Sequence, residues 1–392
     1  MSNANVRQCP VCGSSEKRML SELCGNLKIL GSHFPNSPSD NVVCQRCGIV
    51  YVDMASSQAD FDKYYGSIAK PLNYADTFGQ DEAARYFETI YQAVAPYIGP
   101  ESRILDLGCG SGEFSQLLLA KGHKNVVAAD LSQACVDVAR KAGVQAVPYN
   151  VTAPSEPEWE KTFDLIVYSH TIEHVFDVGA SMRTVKKLLK DDGILFIEVP
   201  DAEKYGAVDL GPYFFFTYEH LMHLTGETLR NIARVFGFDL LQSRTYLKCN
   251  RYYVIYGIYR NGGDVAPVVR ETGNAAAVSG YEDICRGTLA AAIKELETGG
   301  EDLILWGVGS STAQLLNGHF DRCKVIKLVD SNPTRQGIEF RIDGKILKIE
   351  PPESITDNSA TIVVLPFMFK DSIVKQIRAS NFTNKLATLA IT

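Results

Sequence analysis

Two short segments of this 392-residue chain concentrate the side chains that can move protons: Ser169-His170-Thr171-Ile172-Glu173-His174 and Tyr218-Glu219-His220-Leu221-Met222-His223. Each sets a carboxylate beside an imidazole. A histidine with an ordinary pKa exchanges protons near neutral pH, and a neighbouring carboxylate can orient it. On that ground His220, with Glu219 beside it, is the candidate general base. His174 is a candidate for positioning an acceptor or carrying a second proton, and His223 is a third candidate. The alternative is that these histidines only tie one segment to another. A zinc-protease site is excluded, because it needs H-E-x-x-H and the chain has E-H-x-x-H.

Four cysteines suggest a different chemistry. Cys9-Pro10-Val11-Cys12 and Cys44-Gln45-Arg46-Cys47 are two C-x-x-C pairs, followed by Gly13 and Gly48. The glycines suit turns that aim backbone amides at sulfur, and four thiolates make a closed, tetrahedral, structural zinc site. Cys24 is expected to be a further, non-ligating cysteine. Arg7, Lys17, Arg18, Lys28, Arg46, Lys63 and Lys70 nearly balance the acidic residues of this segment. It therefore carries no basic stripe for nucleic acid and reads as a zinc-stapled lid or scaffold.

The third chemical feature runs from Arg103 to Leu119. A buried strand ending at Asp106-Leu107 leads into Gly108, Gly110 and Gly112, then a helix. This G-x-G-x-G spacing differs from the G-x-G-x-x-G of dinucleotide folds, where the third glycine packs helix on strand around a pyrophosphate. A glycine turn with Asp106 facing it suits a ligand bearing a cation and hydroxyls, and S-adenosylmethionine (SAM) has both. Asp130 lies twenty-two positions beyond Gly108, where a β-α-β unit places a carboxylate on ribose hydroxyls. Asn150 and Val151 fall near where an adenine edge would lie, and Leu131, next to Asp130, and Ser169, directly after the fourth strand, are further candidate cofactor-binding residues.

The elements that must position these groups alternate strand and helix. Strands are expected at 125–130, 145–148, 163–168 and 193–199, with helices at 81–98 and 181–190 and a helix capped by Thr225. The fold class is α/β, with a doubly wound parallel central sheet holding ligands at its C-terminal strand ends. Three parts follow: a zinc-binding module at 1–70, the central domain at 71–262, and a linker helix with a smaller Rossmann-like domain at 263–392. Residues 61–78 are aromatic and loop-like, and Tyr74 is the candidate site tyrosine there. In the last part Gly307–Ser311 carries half a nucleotide fingerprint, with Thr312 where a third glycine would stand. It reads either as a structural turn or as an anion or nucleotide contact. The net charge of −7 argues against general binding to phosphate backbones. No apolar run suggests a membrane span, and the first residues lack the features of a secretory signal. The expectation is a cytoplasmic enzyme with reduced thiols.

The strand with Asp106, the glycine turn, Asp130, the FDLIVY strand and the K-x-L-K-x-x-G-I-L-F-I segment resemble the class I SAM-dependent methyltransferases. The resemblance implies SAM held by Gly108, Gly110 and Asp130, with Asp106 near the methionine head. The full order adds two cysteine knuckles, an E-H pair after the fifth strand, and a last domain with Asp330-Ser331-Asn332-Pro333 and Gly337. It resembles the zinc-containing C-methyltransferases of nucleotide-linked ketodeoxysugars. That narrower resemblance places Glu219 and His220 on the family's catalytic pair, His174 on its additional histidine and Tyr74 on its tyrosine. It implies that His220 takes a proton from the sugar. It further implies a small-molecule partner, a nucleotide-linked sugar. The alternative is an O-methyltransferase of a glycan or small metabolite and, more distantly, a zinc-ribbon RNA methyltransferase or a SAM-binding scaffold without turnover. The oligomeric state stays open.

Overall fold

The computed structural model describes residues 7–23, 27–31, 34, 39–67, 72–316, 318–367, 370–380 and 382–389. Cys24 and Lys70 lie outside these, as does the side chain of Lys28.

The N-terminal part is a small antiparallel sheet of β1 (Lys17–Leu23), β2 (Ser39–Cys44) and β3 (Val50–Met54). Its fourth strand is β9 (Met222–His223), which directly follows Glu219 and His220. Val50 pairs with His223 and Tyr51 with Met222. The cysteine module therefore shares its sheet with the E-H segment.

Residues 61–78, expected as loop, are largely helical: α1 (Gln58–Ser67) and α2 (Tyr74–Phe78). Helices this short are marginal alone and form because tertiary packing stabilises them. Phe61 and Tyr64, three residues apart, bury one face of α1 against Phe34 and Phe176. Asn73 caps α2 by accepting the Asp76 amide. α3 (Gln80–Val94) follows.

The central sheet contains β4 (Arg103–Leu107), β5 (Asn125–Asp130), β6 (Ala146–Pro148), β7 (Phe163–Ser169) and β8 (Leu189–Pro200), all parallel. β10 (Phe238–Lys248) and β11 (Tyr252–Asn261) complete the order β10-β11-β8-β7-β4-β5-β6. β11 runs antiparallel to both neighbours, so the sheet is mixed rather than wholly parallel. The local cause is the tight connection between β10 and β11. Cys249 and Asn250 take left-handed backbone angles there, and a loop this short can join only antiparallel strands. α4 (Glu113–Ala120), α5 (Gln133–Lys141), α6 (Val178–Leu188) and α7 (Gly226–Val235) cover the faces, with Thr225 capping α7 as expected.

The linker helix α8 runs over Gly273–Gly299 and buries Tyr281 against Tyr205 and Phe215. The last part is a six-stranded sheet of β12 (Leu303–Trp306), β13 (Val325–Val329), β14 (Glu339–Ile342), β15 (Lys345–Glu350), β16 (Thr361–Val364) and β17 (Leu386–Thr388), with α9 (Lys370–Ala379). Its glycine turn leads into a four-residue 3-10 turn, Ala313–Leu316, not a long helix. No described helix is long and apolar enough to cross a membrane.

Candidate functional site

The glycine turn leaves β4 at the C-terminal edge of the sheet. Gly108 has φ +77, and a Cβ there would fall 2.2 Å from Thr171 Oγ1, so no other L-residue fits. Gly110 has open space where its Cβ would project. Its amide donates to Asp130 Oδ2 at 3.0 Å, while the Ser132 amide donates to Asp130 Oδ1 at 2.8 Å. Asp130 is thus fixed at the end of β5 with its remaining lone pairs free for a ligand. Asp106 is buried and accepts a 2.7 Å hydrogen bond from Ser115 Oγ. Burial, reinforced by the charge of Asp130 and opposed by Ser115, pushes its pKa up to about 6.

A cavity of about 700 Å³ opens beside this turn. Asp106, Gly108, Gly110 and Asp130, with Tyr74, Tyr86 and Ser169 and with His170, His174 and Glu219, all line it. An adjoining recess of about 170 Å³ is walled by Asp130, Leu131, Asn150 and Val151, with Tyr65 shared between the two. The expected adenine-side residues therefore meet in one recess. Asn150 Nδ2 donates to Asp62 Oδ2 at 2.9 Å, which ties this recess to α1.

His174 and His220 pack ring against ring at 5.0 Å, but only His174 lines the cavity. His174 Nδ1 lies 2.8 Å from the Glu219 carbonyl, and His220 Nδ1 lies 3.1 Å from the Phe215 carbonyl. A carbonyl only accepts, so each Nδ1 is assigned the proton and each Nε2 keeps a lone pair. Tyr65 OH also approaches His174 Nδ1, at 3.0 Å. The Glu219 carboxylate accepts from Tyr64 OH and, at 3.1 Å, from Ser310 Oγ of the last domain. His223 is fully buried between Tyr205 OH and Asn41 Oδ1, away from the cavity.

Several site residues escaped sequence reasoning. Glu198, fully buried on β8, accepts from Tyr86 OH at 2.7 Å, Ser169 Oγ at 3.1 Å and Tyr246 OH at 2.5 Å. A lone glutamate at the end of the apolar run GILFIEV was the available signal. His170 lies between two buried carboxylates, 3.3 Å from Glu173 and 3.4 Å from Glu198. Lys248 is buried among the rings of Tyr74, Tyr86 and Tyr252 and donates to Tyr74 OH at 3.1 Å. Burial lowers its pKa, but Tyr252, Tyr74 and Glu198 outweigh that and hold it above the usual lysine value. Tyr74 also stacks on Tyr86, and its amide donates to Glu113.

The last domain reaches the same cavity. Asn332, Thr334 and Arg335 line it, and Arg335 pairs with Asp330 at 3.2 Å. Gly307–Ser311 thus borders the Glu219 side through Ser310.

At the N-terminal module, Cys9 Sγ lies 3.5 Å from Cys47 Sγ, and Cys12 Sγ lies 3.5 Å from Cys44 Sγ. All four sulfurs fall within 4.8 Å of one another. Tetrahedral zinc–thiolate bonds of about 2.3 Å require sulfurs about 3.8 Å apart, so the set fits that metal. The Gly13 and Gly48 amides close the two knuckles on the Cys9 and Cys44 carbonyls.

A family profile described as "Methyltransferase domain" matches residues 79–243. The ubiquinone biosynthesis O-methyltransferase of Rhizobium johnstonii is 34% identical over 122 residues, 30% of this chain and 48% of that protein. The enzyme of the same name from Pelagibacter ubique is 35% identical over 98 residues, 24% of this chain and 40% of that one. The chain thus spans about half or less of these curated relatives. Among solved structures, a SAM-dependent methyltransferase from Mesorhizobium loti has TM-score 0.37 and 21% identity, covering 44% of this chain and 96% of its own. The Burkholderia thailandensis 1,6-didemethyltoxoflavin-N1-methyltransferase, solved with S-adenosylhomocysteine, has TM-score 0.37 and 19% identity, covering 56% and 96%. The central region is thus similar to methyltransferase domains over residues 79–243.

Proposed function

We propose that the chain is a SAM-dependent methyltransferase acting on a small acceptor, in the first place carbon methylation of a nucleotide-linked ketodeoxysugar. One observation carries this reading: the Asp106–Asp130 turn, the His174–Glu219 wall and Arg335 of the last domain open onto a single cavity. SAM supplies a methyl group already activated on sulfur. Asp130 would hold the ribose hydroxyls, Leu131, Asn150 and Val151 the adenine, and Asp106 the ammonium. Arg335, Asn332 and Thr334 give the acceptor's side a cation and hydrogen-bonding groups suited to an anionic sugar conjugate. The His174–His220 pair offers neutral lone pairs for the acceptor's proton, with His174 on the cavity, oriented by the Glu219 main-chain carbonyl, and His220 packed behind it as the second proton carrier. Tyr74, polarised by Lys248, supports an acceptor oxygen. A structural zinc at Cys9, Cys12, Cys44 and Cys47 would stiffen the strand that carries the E-H segment. The second reading is O-methylation of a hydroxylated metabolite, favoured by the names of the curated relatives.

The test is radiolabelled methyl transfer from SAM to a panel of nucleotide-linked keto sugars and of phenolic metabolites, with the methylated atom assigned by NMR. No transfer to any sugar overturns the first reading. With a working acceptor, Arg335→Ala is expected to raise acceptor KM about tenfold while leaving SAM affinity unchanged. His174→Ala is expected to lower kcat by about 10²–10³.

SAM binding should also depend on pH. Asp106 binds a proton below about pH 6 and then cannot pair with an ammonium. Affinity is expected to rise between pH 5 and 7, with proton release on binding that grows as pH falls toward 5. Calorimetry in two buffers of different ionisation enthalpy reads this directly; a pH-independent affinity contradicts it.

A further inference from the structure

Glu173, His174 and His220 place three metal-ligating atoms within 4.8 Å of one another. Their surroundings make them more than a chance cluster. Glu173 is 1% exposed, and neither carboxylate oxygen has a hydrogen-bond partner. His170 Nδ1 lies 3.3 Å from Glu173 Oε1 but out of hydrogen-bond alignment. A buried carboxylate costs several kcal/mol unless a cation matches it; His170 and His174, at 3.3 and 3.9 Å, supply one only when protonated, whereas a metal ion supplies one with the imidazoles neutral. Both imidazoles present the arrangement that metal-bound histidines adopt: Nδ1 donates to a backbone carbonyl, which fixes the tautomer and leaves Nε2 as the ligand atom. His174 Nε2 stands 3.9 Å from Glu173 Oε1. Two ligands on adjacent positions of one ion sit about 3 Å apart, so the site closes by about 1 Å on binding.

We propose that Glu173, His174 and His220 bind one divalent first-row metal ion at the wall of the acceptor cavity. Two imidazoles and one carboxylate leave positions open for water or for a carbonyl or hydroxyl oxygen of the acceptor. His174 lines the cavity, so an ion there lies within reach of that oxygen. This use of the ion rests on the methyltransferase reading; the binding site itself does not. With the ion bound both Nε2 lone pairs are occupied, so in the metal-loaded protein Glu219, which lines the same cavity, replaces the histidine pair as the acceptor of that proton.

The experiment titrates the full chain, its four-cysteine metal in place, with Mn²⁺ followed by electron paramagnetic resonance. Mn²⁺ prefers nitrogen and oxygen over thiolate, so the cysteine site is silent. One Mn²⁺ per chain is expected, with at least tenfold weaker binding in Glu173→Gln and in His220→Asn. Electron spin-echo modulation from two imidazole nitrogens is expected in the unsubstituted protein, which keeps the test decisive if either variant misfolds. No Mn²⁺ uptake, uptake without nitrogen modulation, or uptake unchanged in both folded variants overturns the site. Methyl transfer is measured alongside: transfer without Mn²⁺ uptake removes the metal site and leaves the proposed function standing. Mn²⁺ uptake without transfer to any acceptor leaves the site and removes the function.

Discussion

Asp130→Ala is expected to lower SAM affinity by about 10²–10³, or about 3–4 kcal/mol, because hydrogen bonds to a charged group contribute about 1.5–3 kcal/mol each. The loss has two sources. Asp130 would present its lone pairs to the ribose, and it also holds the glycine turn by accepting the Gly110 and Ser132 amides. Removing the carboxylate leaves both amides unpaired and frees the turn whose shape makes the pocket. Asp130→Asn keeps the side-chain volume and one accepting oxygen, so a smaller loss, about tenfold, is expected. Calorimetric titration with SAM checks both variants. An Asp130→Ala protein that binds SAM as tightly as the parent rules out the cofactor assignment.

Cys44→Ser is expected to remove the bound zinc and to unfold the N-terminal module. Structural zinc contributes about 10–16 kcal/mol to isolated zinc-finger peptides. Here Val43, Val50 and Val52 of the flanking strands are buried in a larger cluster that also holds Tyr205, Leu221 and Val278, which offsets part of that loss. A net destabilisation of about 3–5 kcal/mol would lower the Tm of a module of this size by about 12–40 °C. The consequence reaches the proposed chemistry through β3, whose pairing with Met222–His223 fixes the segment just after His220. Methyl transfer should therefore fall steeply while SAM binding persists, since the glycine turn belongs to a different sheet. Metal analysis, a melting curve and SAM titration on one preparation separate these effects. Less than half a zinc per chain in the parent protein, or an unchanged Tm in the variant, contradicts the assignment.

The amino-acid sequence by itself determined the features that depend on local spacing. The G-x-G-x-G turn, Asp130 at the end of the next strand, the paired C-x-x-C knuckles and the Thr225 cap each rest on residues adjacent or one element apart. Backbone geometry leaves such short stretches few alternatives, so they are legible along the chain. Where a side chain meets one from another element, only the tertiary structure decided. Glu198 and Lys248, on two strands of the sheet, hold the cavity-lining Tyr86, Ser169 and Tyr74, and Arg335 lines the cavity from beyond the linker helix; no spacing links the three to Gly108. The helices at Gln58–Ser67 and Tyr74–Phe78 form because Phe61 packs on Phe34 and Phe176, Tyr64 on Phe34, and Tyr74 on Tyr86 of the next helix. Two E-H segments were visible as candidate chemistry, but their separation of 45 residues hid that His174 Nδ1 donates to the Glu219 carbonyl. It equally hid that His220 packs behind His174 instead of lining the cavity. Burial and hydrogen-bond direction are set by the packing of distant elements, and those set which imidazole faces the acceptor and which lone pairs are free.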